Sequence, residues 1–259
     1  MISRVNWWAG KVLDLVAPRV CEVCEGLVER PEPAWRRGPR RDVCVACEER
    51  LELQSDRYCQ RCGESFDGDV DGRLRCMNCE DLTLPFAFAV ARYRASGAVR
   101  EMVHRFKFGR QLRLRQTLAS MVVDVFSFDP RLEEMWQAGG LVMVPVPLSP
   151  RRLRERGFNQ ALQVSLLAGR ELRVPVVDCL VRTRNTSPQS QLSRKKRLEN
   201  MKGAIGVKPR KRGGWELEGM RVVLVDDVLT TGSTASACAR VLIDELGVTQ
   251  VVVATAARG

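Results

Sequence analysis

The sequence predicts an α/β protein: a mostly parallel sheet with flanking helices, preceded by a small module organised by cysteines. Three observations carry this. From Phe86 onward, apolar runs of strand length alternate with stretches of helical period, the pattern of parallel strands joined by right-handed crossovers. Val222 to Val225 is a branched apolar run followed at once by Asp226, Asp227 and a hydroxyl-and-glycine loop that opens a helix. Residues 21 to 84 instead hold eight of the ten cysteines, all in CxxC pairs, and no long periodic segment. A chain of 259 residues has room for one full α/β domain plus a smaller module. The expected division is an amphipathic helix over 1–20, the cysteine module over 21–84 and the α/β domain over 85–259.

Met1 to Val20 places Trp7, Trp8, Val12, Leu15 and Val16 at roughly helical spacing, interrupted by Asn6, Lys11 and Asp14, with no small-residue cleavage site after it. That reads as a helix packed on the adjacent module, not a secretory leader. No apolar run approaches the length of a membrane span. A cytoplasmic location follows as the expectation, and with it reduced thiols.

The cysteine pairs are Cys21/Cys24, Cys44/Cys47, Cys59/Cys62 and Cys76/Cys79. A CxxC turn sets two thiolates on one side of a knuckle, half of a tetrahedral zinc site. Nineteen residues separate Cys24 from Cys44 and thirteen separate Cys62 from Cys76, near the spacing of four-cysteine ribbons. Gly63 suits the tight turn after Cys62. Disulfides are the competing reading, disfavoured by a reducing compartment, and four redox motifs in series serve no thioredoxin-like purpose. Two structural zinc ions are expected; sequential and interleaved pairing both remain open. Between the first two knuckles, Arg30 to Arg41 is too proline-rich for a helix, and its Trp35 either covers a small core or stacks on a base. Cys179 and Cys238 lie in apolar surroundings and read as buried thiols.

In the larger region, Phe86 to Tyr93 reads as a strand, Val99 to Phe108 and Leu112 to Phe126 as helices, and Leu141 to Val146 as a strand ending in Pro145-Val146-Pro147. Leu153 to Leu172 reads as one helix, and Pro175 to Val177 as a short strand. Thr183 to Arg212 is polar, basic and irregular, too long for a connector and so a functional or mobile region. Val222 to Val225 and Thr249 to Thr255 complete the strands, with a helix after Ser233 between them.

The most specific signal is the run from Val222 to Thr234. Ligands bind at the carboxyl ends of strands in open α/β sheets. A loop of Thr230, Thr231, Gly232, Ser233 and Thr234 entering a helix offers backbone N–H groups, hydroxyls and the positive helix end to a phosphate. Asp226 and Asp227 cannot hold a phosphate directly, whereas accepting hydrogen bonds from two vicinal ribose hydroxyls fits their charge and adjacency. The pattern describes a ribose-5-phosphate site and resembles the phosphoribosyl-pyrophosphate (PRPP) motif of type I phosphoribosyltransferases. The competing reading is a buried strand followed by an ordinary helix, but paired acids at a buried strand end are costly without a ligand or partner.

More of the chain then fits one family. Cysteine ribbons, Phe106-Lys107-Phe108-Gly109, Pro145-Val146-Pro147-Leu148 leading to Arg152 and Arg156-Gly157-Phe158-Asn159-Gln160, and the PRPP motif follow one another in the order of the ComF family of late-competence, phosphoribosyltransferase-like proteins, which this chain resembles. Thr186, Gln189, Leu192, Ser193, Arg197, Asn200 and Ala204 follow its pattern too. Ile205 departs from it, standing where an aromatic is common. The resemblance implies that Thr230 to Thr234 cradle the 5-phosphate, that Asp226 and Asp227 bind the ribose, and that the turn after Pro147 meets a pyrophosphate carried with Mg2+. Arg152 or Arg156 would neutralise that leaving group. Asn159 and Gln160 either touch ligand or cross-link loops.

If transfer occurs, positive charge develops at the anomeric carbon, and catalysis is positioning and charge stabilisation, resting on Asp226, Asp227 and Arg156 with Gln189 to Asn200 excluding water. No acceptor pocket is marked, so an active transferase of nucleotide metabolism is the alternative to a protein that binds PRPP and handles single-stranded DNA in uptake. The resemblance also points to competence helicase and uptake proteins as partners; oligomeric state is open. A net charge of +11 suits a polyanion. Basic residues concentrate in Arg92 to Arg115 and in Arg182 to Arg212, around Arg194-Lys195-Lys196-Arg197; each is either a phosphate-backbone track or a solvated surface. Arg194, Lys195 and Lys196 are expected to face solvent. The nearby aromatics Tyr93, Phe106 and Phe108 could stack on single-stranded bases, core packing being the favoured reading for the two phenylalanines. His104 reads as a surface or interface residue.

Overall fold

The computed structural model describes residues 20–28, 42–55, 57–66, 75–80, 84–184, 201, 203–209 and 216–259. The amino-terminal helix expected before Val20, the Arg30 to Arg41 loop with Trp35, and the stretch 185–200 with its basic cluster lie outside the described residues.

Four strands, β1 (Ala89–Arg94), β2 (Leu141–Pro145), β5 (Arg221–Leu229) and β6 (Gln250–Arg258), form a sheet of order β1-β6-β5-β2 with every pairing parallel. Two short strands, β3 (Leu180–Arg182) and β4 (Ile205–Val207), pair as a separate antiparallel hairpin that the sequence reading did not foresee. β2 and β6 are buried at nearly every position because both faces of the sheet are covered, as a parallel sheet requires. Alternate residues enter different cores. Val223, Val225, Val252 and Ala254 face the helices α3 (Gly97–Phe108), α4 (Arg115–Phe128) and α7 (Gln160–Leu172), against Met102, Phe106, Leu118, Met121 and Val164. Val222, Leu224, Val251 and Val253 face α8 (Ser233–Asp244), the β3–β4 hairpin and the cysteines Cys59, Cys62, Cys76 and Cys79. Two four-residue helices, α1 (Val45–Glu48) and α2 (Met77–Glu80), belong to the cysteine knuckles.

The cysteine module also seals the edge of the sheet. Gln54 N donates to Arg92 O and Arg94 N to Glu52 O, so residues 52–54 run along β1 and satisfy groups that an open edge would leave bare.

Several elements differ from the sequence reading. The helix expected over Leu153 to Leu172 is two, α6 (Pro150–Arg156) and α7, because Gly157 closes α6 in the left-handed region and the Asn159 side chain starts α7 by accepting from Ala161 N at 3.1 Å. An unforeseen helix, α5 (Pro130–Gln137), has the sequence signature of one: Asp129 caps it and Pro130 opens it. Leu112 to Leu114 is a 3₁₀ turn leading into α4. Pro175 to Val177 makes only a bridge to Met143 at the outer edge of β2.

Candidate ligand cleft and metal centres

β5 is longer than expected, and this shapes the site. Its pairing with β2 ends at Val225, opposite Pro145, while its pairing with β6 continues to Leu229 opposite Arg258. Asp226 and Asp227 are therefore inside a strand that has lost its neighbour on one side. The chain leaving β2 turns outward and the chain leaving β5 turns to β6; the diverging connections open a crevice there. It is a cleft of about 390 Å³.

Asp226 and Asp227 form the acidic side of the cleft. Asp227 is 4% exposed; its Oδ1 accepts from Val228 N at 3.0 Å and its Oδ2 lies 2.7 Å from Lys107 Nζ. Asp226 Oδ1 accepts from Asp227 N at 2.9 Å. Burial, then the negative charge of Asp227, hold the Asp226 carboxyl well above the usual carboxylate range, with Lys107 opposing. Arg152 and Arg156 of α6 contribute the basic side, with Arg100 and Lys107 of α3 and Arg182 of β3. Arg156 is 9% exposed and its guanidinium lies over the Phe108 ring, 5.1 Å from the centroid, without a hydrogen bond or ion pair among the described residues. Burial and then neighbouring Arg152 lower its pKa, against the pull of Asp227 and Asp226.

Thr230 and Thr234 reach the cleft, while Thr231 and Ser233 hydrogen-bond each other at 3.1 Å within the turn. Gly232 precedes α8 at φ +73°, where an L side chain is strained, and no side chain caps the helix, so its first N–H groups stay available. Asn159 caps α7 and donates to Val146 O at 3.1 Å, the structural one of the two roles left open for it, and it borders the cleft. Gln160, 3% exposed at the cleft wall, has no partner for Nε2 among the described residues.

The cleft roles of Lys107, Arg100 and Arg182 were not legible as such. For the first two a signal existed: Arg100, Val103 and Lys107 repeat at helical spacing and all line the cleft. Tyr93 is buried and donates to Asp124 Oδ2 at 2.8 Å, so its ring is no open stacking surface. Phe106 is core, but Phe108, the last residue of α3, is 63% exposed, its ring 4.8 Å from that of His104, which leaves it the stacking alternative. The basic tract from Arg92 to Arg115 is largely engaged: Arg105 and Arg113 with Glu25, Lys107 with Asp227, Arg110 with Glu155 O and Arg115 with Gln163.

Both cysteine groups close sequentially. Cys21, Cys24, Cys44 and Cys47 form one and Cys59, Cys62, Cys76 and Cys79 the other, with the sulfurs of each within 4.8 Å of one another. The Cys24–Cys44 and Cys62–Cys76 separations are 3.8 and 3.6 Å. Disulfide sulfurs are about 2.05 Å apart; a zinc tetrahedron with about 2.3 Å bonds has edges of about 3.8 Å. The residues fit zinc, and each group could hold one ion. A hydrogen bond from Cys62 helps hold Cys59 down to about 4, and the same contact with burial pushes Cys62 upward. Cys179 and Cys238 are fully buried, as expected.

Asp226→Asn is expected to stabilise the ligand-free protein at pH 7, because it removes a charge that burial and Asp227 disfavour. The folded carboxyl titrates above its ordinary value of 3.8, so its half-buried charge opposes folding increasingly above that pH and not below it. Urea unfolding should show the variant's advantage at pH 7 shrinking as the pH falls toward 3.8; a variant less stable than wild type at pH 7 contradicts this.

Residues 161–259 match the phosphoribosyl transferase domain family. Over 212 residues the chain is 30% identical to Competence protein F of Haemophilus influenzae, covering 81% of this chain and 87% of that one. It is 26% identical over 238 residues to Competence protein ComFC of Bacillus subtilis, covering 87% and 89%. It is 27% identical over 202 residues to the DNA utilization protein YhgH of Escherichia coli, covering 78% and 84%.

Proposed function

The chain belongs to the ComF family of competence-related, phosphoribosyltransferase-like proteins, and from that premise we propose that its cleft binds PRPP with Mg2+ and that the protein handles single-stranded DNA during uptake. One observation carries the ligand reading: a single crevice sets two adjacent carboxylates against a basic side that includes Arg156, which makes no hydrogen bond or ion pair among the described residues. PRPP has the matching asymmetry, a diol in the middle and phosphates at both ends. Asp226 and Asp227 accept from the ribose hydroxyls. The Thr230–Thr234 turn and the free N–H groups of α8 receive the 5-phosphate. Arg152 and Arg156 face the pyrophosphate, and the unpartnered Gln160 Nε2 gains an acceptor. Mg2+ favours oxygen ligands and, bound with the pyrophosphate, offsets its charge.

The DNA reading is supported by the likeness to competence and DNA utilization proteins, by the net charge of +11 and by Arg194, Lys195 and Lys196, since much of the other basic tract is engaged internally. A second reading, transfer of ribose 5-phosphate to an acceptor, is favoured by Arg152 and Arg156 lining the same cleft as the two acids, cations suited to the charge of a leaving pyrophosphate.

Pyrophosphate release from PRPP, assayed across a panel of bases beside single-stranded DNA binding at two salt concentrations, separates the two. Release with one base supports the transferase. For DNA, replacing Arg194, Lys195 and Lys196 with alanine should weaken binding across sequences and lower the salt slope by about one unit for each phosphate no longer neutralised. PRPP binding should change little. DNA affinity that survives the triple replacement contradicts this track.

A further inference from the structure

Arg258, the last residue of β6, is 7% exposed and sends its guanidinium into a set of main-chain carbonyls. Nε donates to Cys62 O at 3.2 Å, Nη1 to Leu229 O at 3.0 Å and also to Gly259 O, and Nη2 lies 3.3 Å from Glu64 Oε2. Two of these acceptors belong to parts with separate roles. Cys62 is in the second four-cysteine group, its sulfur 3.6 Å from that of Cys76. Leu229 immediately precedes the Thr230–Thr234 turn, and its carbonyl also accepts from Gly259 N at 2.9 Å, the main chain of Gly259 bordering the cleft.

The same knuckle is seated tightly on the sheet. Ala89 N donates to Arg61 O at 3.0 Å, and Arg61 donates to the carbonyls of Leu84 and Ala87. A Cβ on Gly63 would lie 2.8 Å from Ala89 O, so the knuckle has no slack against β1. A guanidinium presents its donors in a rigid planar fork, which links the positions of the acceptors it holds. Displacing the Cys62 carbonyl must either break its hydrogen bond to a buried donor or move the fork away from Leu229.

We propose that Arg258 is a positioning residue that ties the root of the phosphate loop to the second cysteine knuckle, so that order in the loop, and ligand affinity with it, depends on metal at Cys59, Cys62, Cys76 and Cys79. The ligand part rests on the PRPP reading of the cleft; the link between knuckle and loop does not. The first cysteine group is the internal control. It contacts α3 and the turn after it through Glu25, with Arg105 and Arg113, and makes no contact with the phosphate loop among the described residues.

Arg258→Lys in the full, metal-loaded chain keeps the charge and gives up the fork. Hydrogen exchange at the amides of Thr230 to Ala235 is expected to quicken roughly tenfold with both cysteine groups filled, while Val222 to Val225 keep their protection. PRPP with Mg2+ should bind roughly tenfold more weakly. Coupling is reciprocal, so saturating PRPP should slow zinc release to a chelator from one group in the wild type and not in the variant. Arg258→Gln, which keeps a planar donor but not the fork, should show the same quickened exchange in the loaded chain, a readout that holds if Arg258→Lys does not fold. Unchanged loop exchange in these measurements overturns the link. A wild type that binds no PRPP overturns the functional reading, and the exchange measurements still decide the role of Arg258.

Discussion

Replacing Cys62 with serine is expected to remove one zinc per chain and to destabilise the whole α/β sheet, whereas Cys24→Ser should remove one zinc and leave the sheet folded. The difference lies in what each group is packed against. Cys59, Cys62, Cys76 and Cys79 share a core with Leu84, Phe86, Ala89, Leu224 and Val253, so opening this knuckle exposes one face of the sheet. Cys21 and Cys47 share a small cluster with Val43, and Cys24 is exposed. Metal bound by four thiolates can contribute on the order of 10 kcal/mol to the structure it organises. The loss in Cys62→Ser should therefore be about 5 kcal/mol or more, a large part of what holds a domain together. Metal analysis with thermal unfolding checks this. Equal melting temperatures for the two variants would show that the second group is not part of the sheet's core.

Both knuckles and the cleft acids were legible because their chemistry is local. A CxxC spacing dictates a turn, and two acids after a branched apolar run mark a strand that points them at something. Elements set by competition between neighbours were harder to read. Leu153 to Leu172 is apolar at helical spacing throughout, and only the conformation of Gly157 and the cap at Asn159 divide it. The β3–β4 hairpin joins segments separated by more than twenty residues, so no short-range turn signal announces it. Asp129-Pro130 did announce α5, as a cap followed by a residue suited to the first turn.

The cleft was half legible. Its acidic side is consecutive in sequence, while its basic side gathers Arg100 and Lys107 from one helix, Arg152 and Arg156 from another and Arg182 from a strand. Only the folded chain brings these together. Sequence separation likewise hides the contact of Arg258 with Cys62, 196 residues away. Of the two readings open for Phe108, the favoured one, core, fails: it is exposed at the helix end, while Phe106, two residues earlier, is buried.

The second large effect is expected at the acids. Asp226→Asn with Asp227→Asn keeps the size of both side chains and removes two charged acceptors. Hydrogen bonds to charged groups are worth about 1.5–3 kcal/mol each, so losing two should weaken PRPP binding at least about a hundredfold. Lys107, 2.7 Å from Asp227, loses its partner at the same time and turns toward the phosphates, an effect that can only reduce the loss. The fold should persist, since Asp227 Oδ1 and Asp226 Oδ1 accept from main-chain N–H groups that an asparagine oxygen also satisfies.

Calorimetric titration of PRPP with Mg2+ into the metal-loaded wild type and this double variant tests the central claim most directly. The expected result is one saturable site in the wild type and at least about a hundredfold weaker binding in the variant. Equal affinity in the two proteins, or no saturable heat in the wild type, would contradict the assignment of the cleft.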